Sequence, residues 1–416
     1  MKFDAIIIGG GLAGLTCGIK LSKQNKKCLV ISSGQSALHF SSGSFDLLNV
    51  VDGQSVNNPV DMVGKLIESN PDHPYAKIGK EKFAEYVNEA KSIFTDSGVG
   101  VTGTGEQNHY RITPLGGLKP TWLSVKDYAT SQKPDSLPWK KVSIFNIAGF
   151  LDFHPNFIAD EFRKMGVESE VYFIDMPELE TLRKNPSELR ATNISRLFEN
   201  EEPLQHLAQI IKENGKGSEA IILPAVIGLK ADTVSKVSEI VGKPIYLIPT
   251  FPPSVVGIRA QQTLKRHFEN LGGVYMLGDT VTGVELENDK ATKVFTQNHG
   301  DIPFLGSNVV LSTGSFFSQG LIASRERIIE PILDLDVDYI ENRQNWYTRN
   351  FFEAQNYQHF GVRTEHNFIV RKNDKPIQNM YAIGAVLSGF NAMKEGCGSG
   401  VSMLTALSVA DQIIKG

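Results

Sequence analysis

Gly9, Gly11 and Gly14 stand in a Gly-x-Gly-x-x-Gly run between an apolar stretch at 3–8 and a segment with Leu12, Leu15, Ile19 and Leu21 at roughly helical spacing. Strand, glycine turn and helix in that order hold a nucleotide phosphate. Gly9 lets the chain turn off the strand, Gly11 removes a side chain where a phosphate must meet backbone, and Gly14 lets the helix press against the sheet. The helix N-terminus, with Leu12 and Ala13 in its first turn, contributes unpaired N–H groups and partial positive charge, so the anion needs no lysine.

A second strand at 28–31 closes the βαβ unit and runs into Ser32-Ser33-Gly34. A dinucleotide unit normally carries an Asp or Glu about 20 residues past the glycines to hold the adenosine ribose. Either the serines do that work less strongly or the ligand has no adenosine half. The departure favours a mononucleotide such as FMN, with FAD as the alternative. The following stretch, 34–48, is too dense in Ser and Gly for a continuous helix or strand. It reads as a ligand loop in which Ser41, Ser42 and Gly43 offer hydroxyl and N–H groups, with His39 beside them.

These groups need a frame. Phe83, Tyr86, Val87, Ala90 and Phe94 recur at three and four, which predicts an amphipathic helix over 81–94. Residues 109–124 alternate and break at Pro and Gly, as strands of a second domain overhanging the ligand. Strands at 140–147 and 171–175 flank a helix at 155–165, and the segments at 188–198, 204–212, 220–223 and 245–248 continue the alternation, so this region is α/β. A helix at 255–271 follows a proline cluster. Short strands joined by Gly-Asp and Asn-Asp turns then form a β-meander, ending in a strand at 309–312 and Thr313-Gly314-Ser315. The chain closes with a strand at 380–383, a turn at Gly384-Ala385, a loop with Gly396, Gly398 and Gly400, and a helix at 401–414. The start of that helix at Val401 gives a second anion-facing N-terminus.

At 416 residues the chain exceeds the size at which one core stops growing, about 250 to 300 residues, so two domains are expected. A net charge of −4 argues against a nucleic-acid partner. Cys17, Cys28 and Cys397 are widely separated, form no C-x-x-C pair and read as buried thiols of a reducing compartment, with no metal site expected. A strand beginning at residue 3 leaves no room for a signal peptide, and no apolar run reaches the roughly 18 residues of a membrane span. A cytoplasmic chain with no direct membrane span is expected.

The order of glycine turn, meander closing in V-V-L-S-T-G, and a final Y-A-I-G…G-C-G-S-G-V-S segment resembles the two-dinucleotide-binding-domain flavoproteins over the whole chain. Within that class, GQSALHFSSGSFDLL, ITPLGGLKPTWLS, FPPSVVGIR, STGSFFSQGLIASRERIIEPILDLDV and YAIGAVLSGFNAMKEGCGSGVS closely resemble the B-subunit family of bacterial anaerobic glycerol-3-phosphate dehydrogenases. The resemblance implies a Rossmann-like flavin domain (1–70, 255–325 and 373–416) with an inserted α/β cap or substrate domain (71–254 and 326–372). It also implies an FMN-carrying chain paired with a larger, FAD-bearing A subunit. An iron–sulfur C subunit is expected to tether the pair to the inner face of the membrane and pass electrons to quinone.

Such a site oxidises a secondary alcohol, glycerol 3-phosphate: a base takes the hydroxyl proton while hydride goes to the flavin. Candidate cations for the flavin or a substrate phosphate are Arg259, Arg325, Arg327, Arg363 and Lys394, and candidate bases are His39, His359 and Glu395. Arg259 is the first choice, because it follows the proline turn where the insertion rejoins the flavin domain. A competing reading keeps the flavin fold but not the chemistry, as a silent partner for assembly or electron relay.

Overall fold

The computed structural model describes residues 2–185 and 187–416. The opening unit is present as β1 (Lys2–Ile8), α1 (Leu12–Lys23) and β2 (Cys28–Ser32). Next comes α2 (Lys80–Asp96), followed by the insertion: β3 (Lys141–Ile147), α3 (Pro155–Lys164), β4 (Glu168–Ile174), α4 (Glu201–Asn214), β5 (Ala220–Pro224), α5 (Thr233–Val241) and β6 (Ile245–Ile248). The chain then returns through α6 (Val255–Asn270), β7 (Val274–Leu277), β8 (Val281–Glu287), β9 (Lys290–Thr296), β10 (Phe304–Leu311), β11 (Lys375–Ala382) and α7 (Gly398–Lys415).

The main sheet has a parallel core in the order β7-β2-β1-β10-β11, and β9 and β8 extend it antiparallel from the first half of β10. Its central strands read as continuous β-branched runs because both faces are covered: Ala5, Ile6 and Ile7 are fully buried. Asn288 and Asp289, both left-handed, make the tight β8–β9 turn. The insertion carries its own four-stranded parallel sheet, in the order β4-β3-β5-β6. The fold is thus a mixed α/β type, a mainly parallel sheet with an inserted parallel α/β unit.

Two boundaries differ from the expected division. Helix α2 is fastened to α1 and α7, where Lys20 bonds Glu89 at 2.9 Å and Asp411 at 2.6 Å and Tyr86 donates to Asp411 at 2.7 Å, while its Phe94 packs on Phe45 of the flavin domain. The strand Ile369–Lys372, counted with the cap, pairs antiparallel with β11 in the main sheet. Both segments lie with the flavin domain by contact.

Candidate functional site

The strand register aligns the carboxyl ends of the parallel core. Ile8 pairs with Ile31 and Leu311, Leu277 with Ser32, and Leu311 with Ala382. Everything that follows these ends, at 9–13, 32–36, 279–282, 312–315 and Ala385, lines one cleft of about 880 Å³. A crevice beyond the carboxyl edge is where open parallel sheets bind ligands.

The three glycines separate by physical cause. Gly9 has φ of +115°, and a Cβ there would meet the Ser312 carbonyl oxygen at 2.3 Å. A Cβ on Gly14 would meet the Gly9 oxygen at 2.0 Å, which is the close helix–strand approach expected of it. At Gly11 a Cβ would meet nothing nearer than Ser36 Cβ at 3.8 Å, so no protein neighbour requires the glycine. The space it keeps faces the cleft at the start of α1, where no side chain caps the helix and no acid sits in the first turn. The α7 start has the same two properties, and its Gly398, Ser399 and Ser402 line the cleft. Thr313 Oγ1 is buried in the cleft wall with no hydrogen-bond partner. Two uncapped helix N-termini, a bare glycine and an orphan hydroxyl fit a phosphate-bearing dinucleotide.

Of the expected cofactor residues, Gly9, Gly11, Leu12, Ala13, Ser32, Ser33, Ser41, Ser42, Thr313, Gly314, Ala385 and Gly398 line the cleft. The rest act behind the wall. Gly43, with φ of +76°, leaves room for the Tyr128 ring, and Gly384 packs on Ala13 while its N–H donates to Thr405 Oγ1. Because α7 begins at Gly398 and not at 401, Gly400 and Val401 fall inside its first turn, buried, with Gly400 against Tyr75 and Leu47.

The expected catalytic residues do not enter the cleft. Arg259 is buried away from it, donating to Asp127 Oδ2 and to the Gly228 carbonyl, each at 2.8 Å. His39 turns toward Gln261, and its backbone oxygen accepts from Ser254 N–H; burial lowers its pKa. His359 lies near Glu395, Lys394 and His73, again with a pKa lowered by burial. Arg327 pairs with Asp334 and Arg363 with Asp338 on the surface, and neither they nor Arg325, Lys394 and Glu395 line the cleft.

Glu395 instead accepts from His73 Nε2 at 3.2 Å and from Cys397 Sγ at 3.3 Å. This trio is close enough to surround a metal ion. However, His73 Nδ1 already accepts the Tyr75 N–H, so Nε2 carries the proton and the ring has no free lone pair for a metal.

Four charged residues of the cleft are absent from the expected set: Asp46, Arg111, Lys119 and Asp279. Arg111 and Lys119 are direct cross-strand partners in the hairpin formed by His109–Ile112 and Leu118–Thr121. The signal was present, since both cations stand four residues from Leu115, the centre of the Thr113–Gly117 turn. Asp46 follows Ser41–Ser44, and its backbone oxygen accepts the Gly400 N–H at 2.9 Å, which fastens it to the start of α7. Burial lowers the Arg111 pKa, offset in part by Asp46.

A parallel sheet with two helix N-termini aimed into one cleft at its carboxyl edge defines a dinucleotide-binding fold, and the FAD binding domain family, which matches residues 4–401, makes it a flavin-binding one. The chain is 45% identical over 418 residues to the B subunit of the anaerobic glycerol-3-phosphate dehydrogenase of Yersinia pestis bv. Antiqua, covering 100% of this chain and 99% of that one. The protein of the same name from Pectobacterium atrosepticum is 41% identical over 417 residues, with 100% and 99% covered. The chain belongs to this B-subunit family. Among solved structures it is similar to 3-ketosteroid delta1-dehydrogenase from Sterolibacterium denitrificans at 10% identity, 100% and 99% coverage and a TM-score of 0.46. Among the described residues no helix is long and apolar enough to cross a membrane.

Proposed function

We propose that this chain is the flavin subunit of an anaerobic glycerol-3-phosphate dehydrogenase, oxidising sn-glycerol 3-phosphate to dihydroxyacetone phosphate. In this reading the chain pairs with an FAD-bearing A subunit, and an iron–sulfur C subunit holds the pair on the inner face of the membrane and passes electrons to a quinone. The observation that carries it is the length of the cleft, which runs from Gly398 at the start of α7, past Gly11, to Ser33 and on to Asp279–Thr282.

That length also favours FAD over the FMN expected from the missing acid. A ligand ending at its first phosphate has no use for the arm beyond Ser33, whereas an adenosine half occupies it. Ser32 contributes little there directly, since its hydroxyl donates to the Gly34 carbonyl at 2.9 Å. The flavin, when bound, supplies the hydride acceptor. The chain's own groups do the rest: the α1 N-terminus and Thr313 Oγ1 hold phosphate oxygens, and the α7 N-terminus stabilises negative charge on the bound group. Asp46 and Asp279 are the carboxylates of the cleft, and no histidine lines it among the described residues.

The test is extraction of the flavin from this chain of the purified complex, with mass identification, beside glycerol-3-phosphate-dependent reduction of a soluble quinone. FAD and turnover are expected. Recovery of FMN overturns the cofactor assignment, and a flavin-free chain in an active complex overturns the reading as a whole.

A further inference from the structure

Cations directly opposite on antiparallel strands repel, and a hairpin has no reason of its own to choose such a pair. Arg111 and Lys119 are nevertheless cross-strand partners, and both reach the cleft wall. Their surroundings do not neutralise them. Lys119 Nζ stands 3.7 Å from Asp46 Oδ2, a loose pairing, and Arg111 Nε is buried with no partner. Asp46 Oδ1 is likewise buried without a hydrogen bond. Two cations and one carboxylate leave one net positive charge, beside Ser42 and Ser44, whose hydroxyls bond each other at 2.9 Å. The cleft therefore holds two kinds of anion site: uncapped backbone at the α1 and α7 starts, and this charged hairpin opposite Asp46.

We propose that Arg111 and Lys119 hold the phosphate of the substrate, and that Asp46 Oδ1 accepts a hydroxyl of the same molecule, so that the site selects a small phosphorylated alcohol. Cross-strand partners have Cβ atoms roughly 4.5 to 5.5 Å apart. At that spacing a guanidinium fork and an ammonium converge on one tetrahedral anion, the fork fixing its orientation and the ammonium adding a point charge. The assignment rests on the flavin dehydrogenase reading given above, and it supplies the subsite which that reading lacks.

The test uses the assembled complex carrying Arg111→Gln or Lys119→Gln, with flavin content measured alongside kinetics. Flavin content is expected to be unchanged, while KM for glycerol 3-phosphate rises about 10- to 100-fold in each variant, as for a lost charge-assisted hydrogen bond. Inorganic phosphate is expected to compete with substrate in the wild type and much less in the variants. Unchanged KM and unchanged phosphate competition in both flavin-loaded variants overturn the subsite. Loss of flavin from either variant also overturns it, by assigning the cations to the cofactor. Competition by glycerate as strong as by glycerol 3-phosphate overturns the choice of phosphate over carboxylate. If a flavin-loaded wild type does not oxidise glycerol 3-phosphate, the dehydrogenase reading fails on its own account. The subsite then stands or falls on whether phosphate shifts the flavin absorption band in wild type and not in the variants.

Discussion

Arg259 Nη2 donates to Asp127 Oδ2 at 2.8 Å, with both side chains almost fully buried, while Arg259 Nη1 donates to the Gly228 carbonyl. This arginine fastens α6 to two segments outside it, one before the inserted sheet and one after β5. Removing one partner of a buried pair leaves an uncompensated charge, at a cost of about 3 to 5 kcal/mol. Arg259→Met is therefore expected to lower stability by that order in denaturant titration while leaving turnover per flavin-loaded molecule near wild type. Adding Asp127→Leu should recover most of the loss. A stable Arg259→Met protein with collapsed turnover would return this residue to the chemistry.

Gly11 and Gly14 should respond to substitution in opposite ways. A Cβ at Gly11 meets open space, so Gly11→Asp is expected to fold normally and lose flavin, because its carboxylate sits where a phosphate and a helix N-terminus should meet. Gly14→Val instead drives side-chain atoms into the Gly9 carbonyl and should fail in folding. Circular dichroism and flavin absorbance on both variants separate the two outcomes. Full flavin content in Gly11→Asp would remove the phosphate from this turn.

His109 makes the protein acid-sensitive. Its ring is buried, Nε2 bonds the Ser124 hydroxyl at 2.8 Å, and Nδ1 has no partner. Burial lowers its pKa from 6.5 to about 4. The folded state thus prefers the neutral ring. This stabilisation is complete above pH 6.5 and is lost as pH falls toward 4, because the unfolded chain takes up the proton first. At 1.36 kcal/mol per unit the loss is about 3 kcal/mol. His109→Gln should flatten the stability profile in that window, as followed by urea unfolding at several pH values. An equally steep profile in the variant would assign the acid lability to other groups.

The three cysteines should resist alkylation in the native state. Cys17, Cys28 and Cys397 are buried, and burial pushes the Cys28 thiol up to about 12, so little thiolate forms at mildly alkaline pH. Mass spectrometry after iodoacetamide should find no native adduct and three after denaturation. A native adduct on any of them would mean that the chain opens there.

What was legible in the sequence was local. The glycine turn, the buried strands and the meander each declare themselves within a dozen residues, because turn chemistry and side-chain period act over that range. Arg259 misled because its partner Asp127 lies far away in the chain, and no spacing rule connects them. Ser32-Ser33 suggested a mononucleotide because the residues that continue the cleft, Asp279–Thr282, come from the turn after β7 and the start of β8 and enter only through the strand register. Arg111 and Lys119 could have been paired by counting outward from Leu115, the middle of the turn. What could not be read is that Asp46, on another segment, faces them.

The strand order also sets a timetable. In the inserted sheet β3, β4, β5 and β6 are drawn from 141–248, so that unit can close while the rest of the chain is still being made. In the main sheet β1 must wait for β10, since Ile8 pairs with Leu311, and β10 waits in turn for β11. Most of the chain therefore emerges from the ribosome with one edge of its first strand bare, a delay that favours slow completion and exposes that edge to other chains. The insertion, by folding early, shortens the unstructured length that the main sheet has to span.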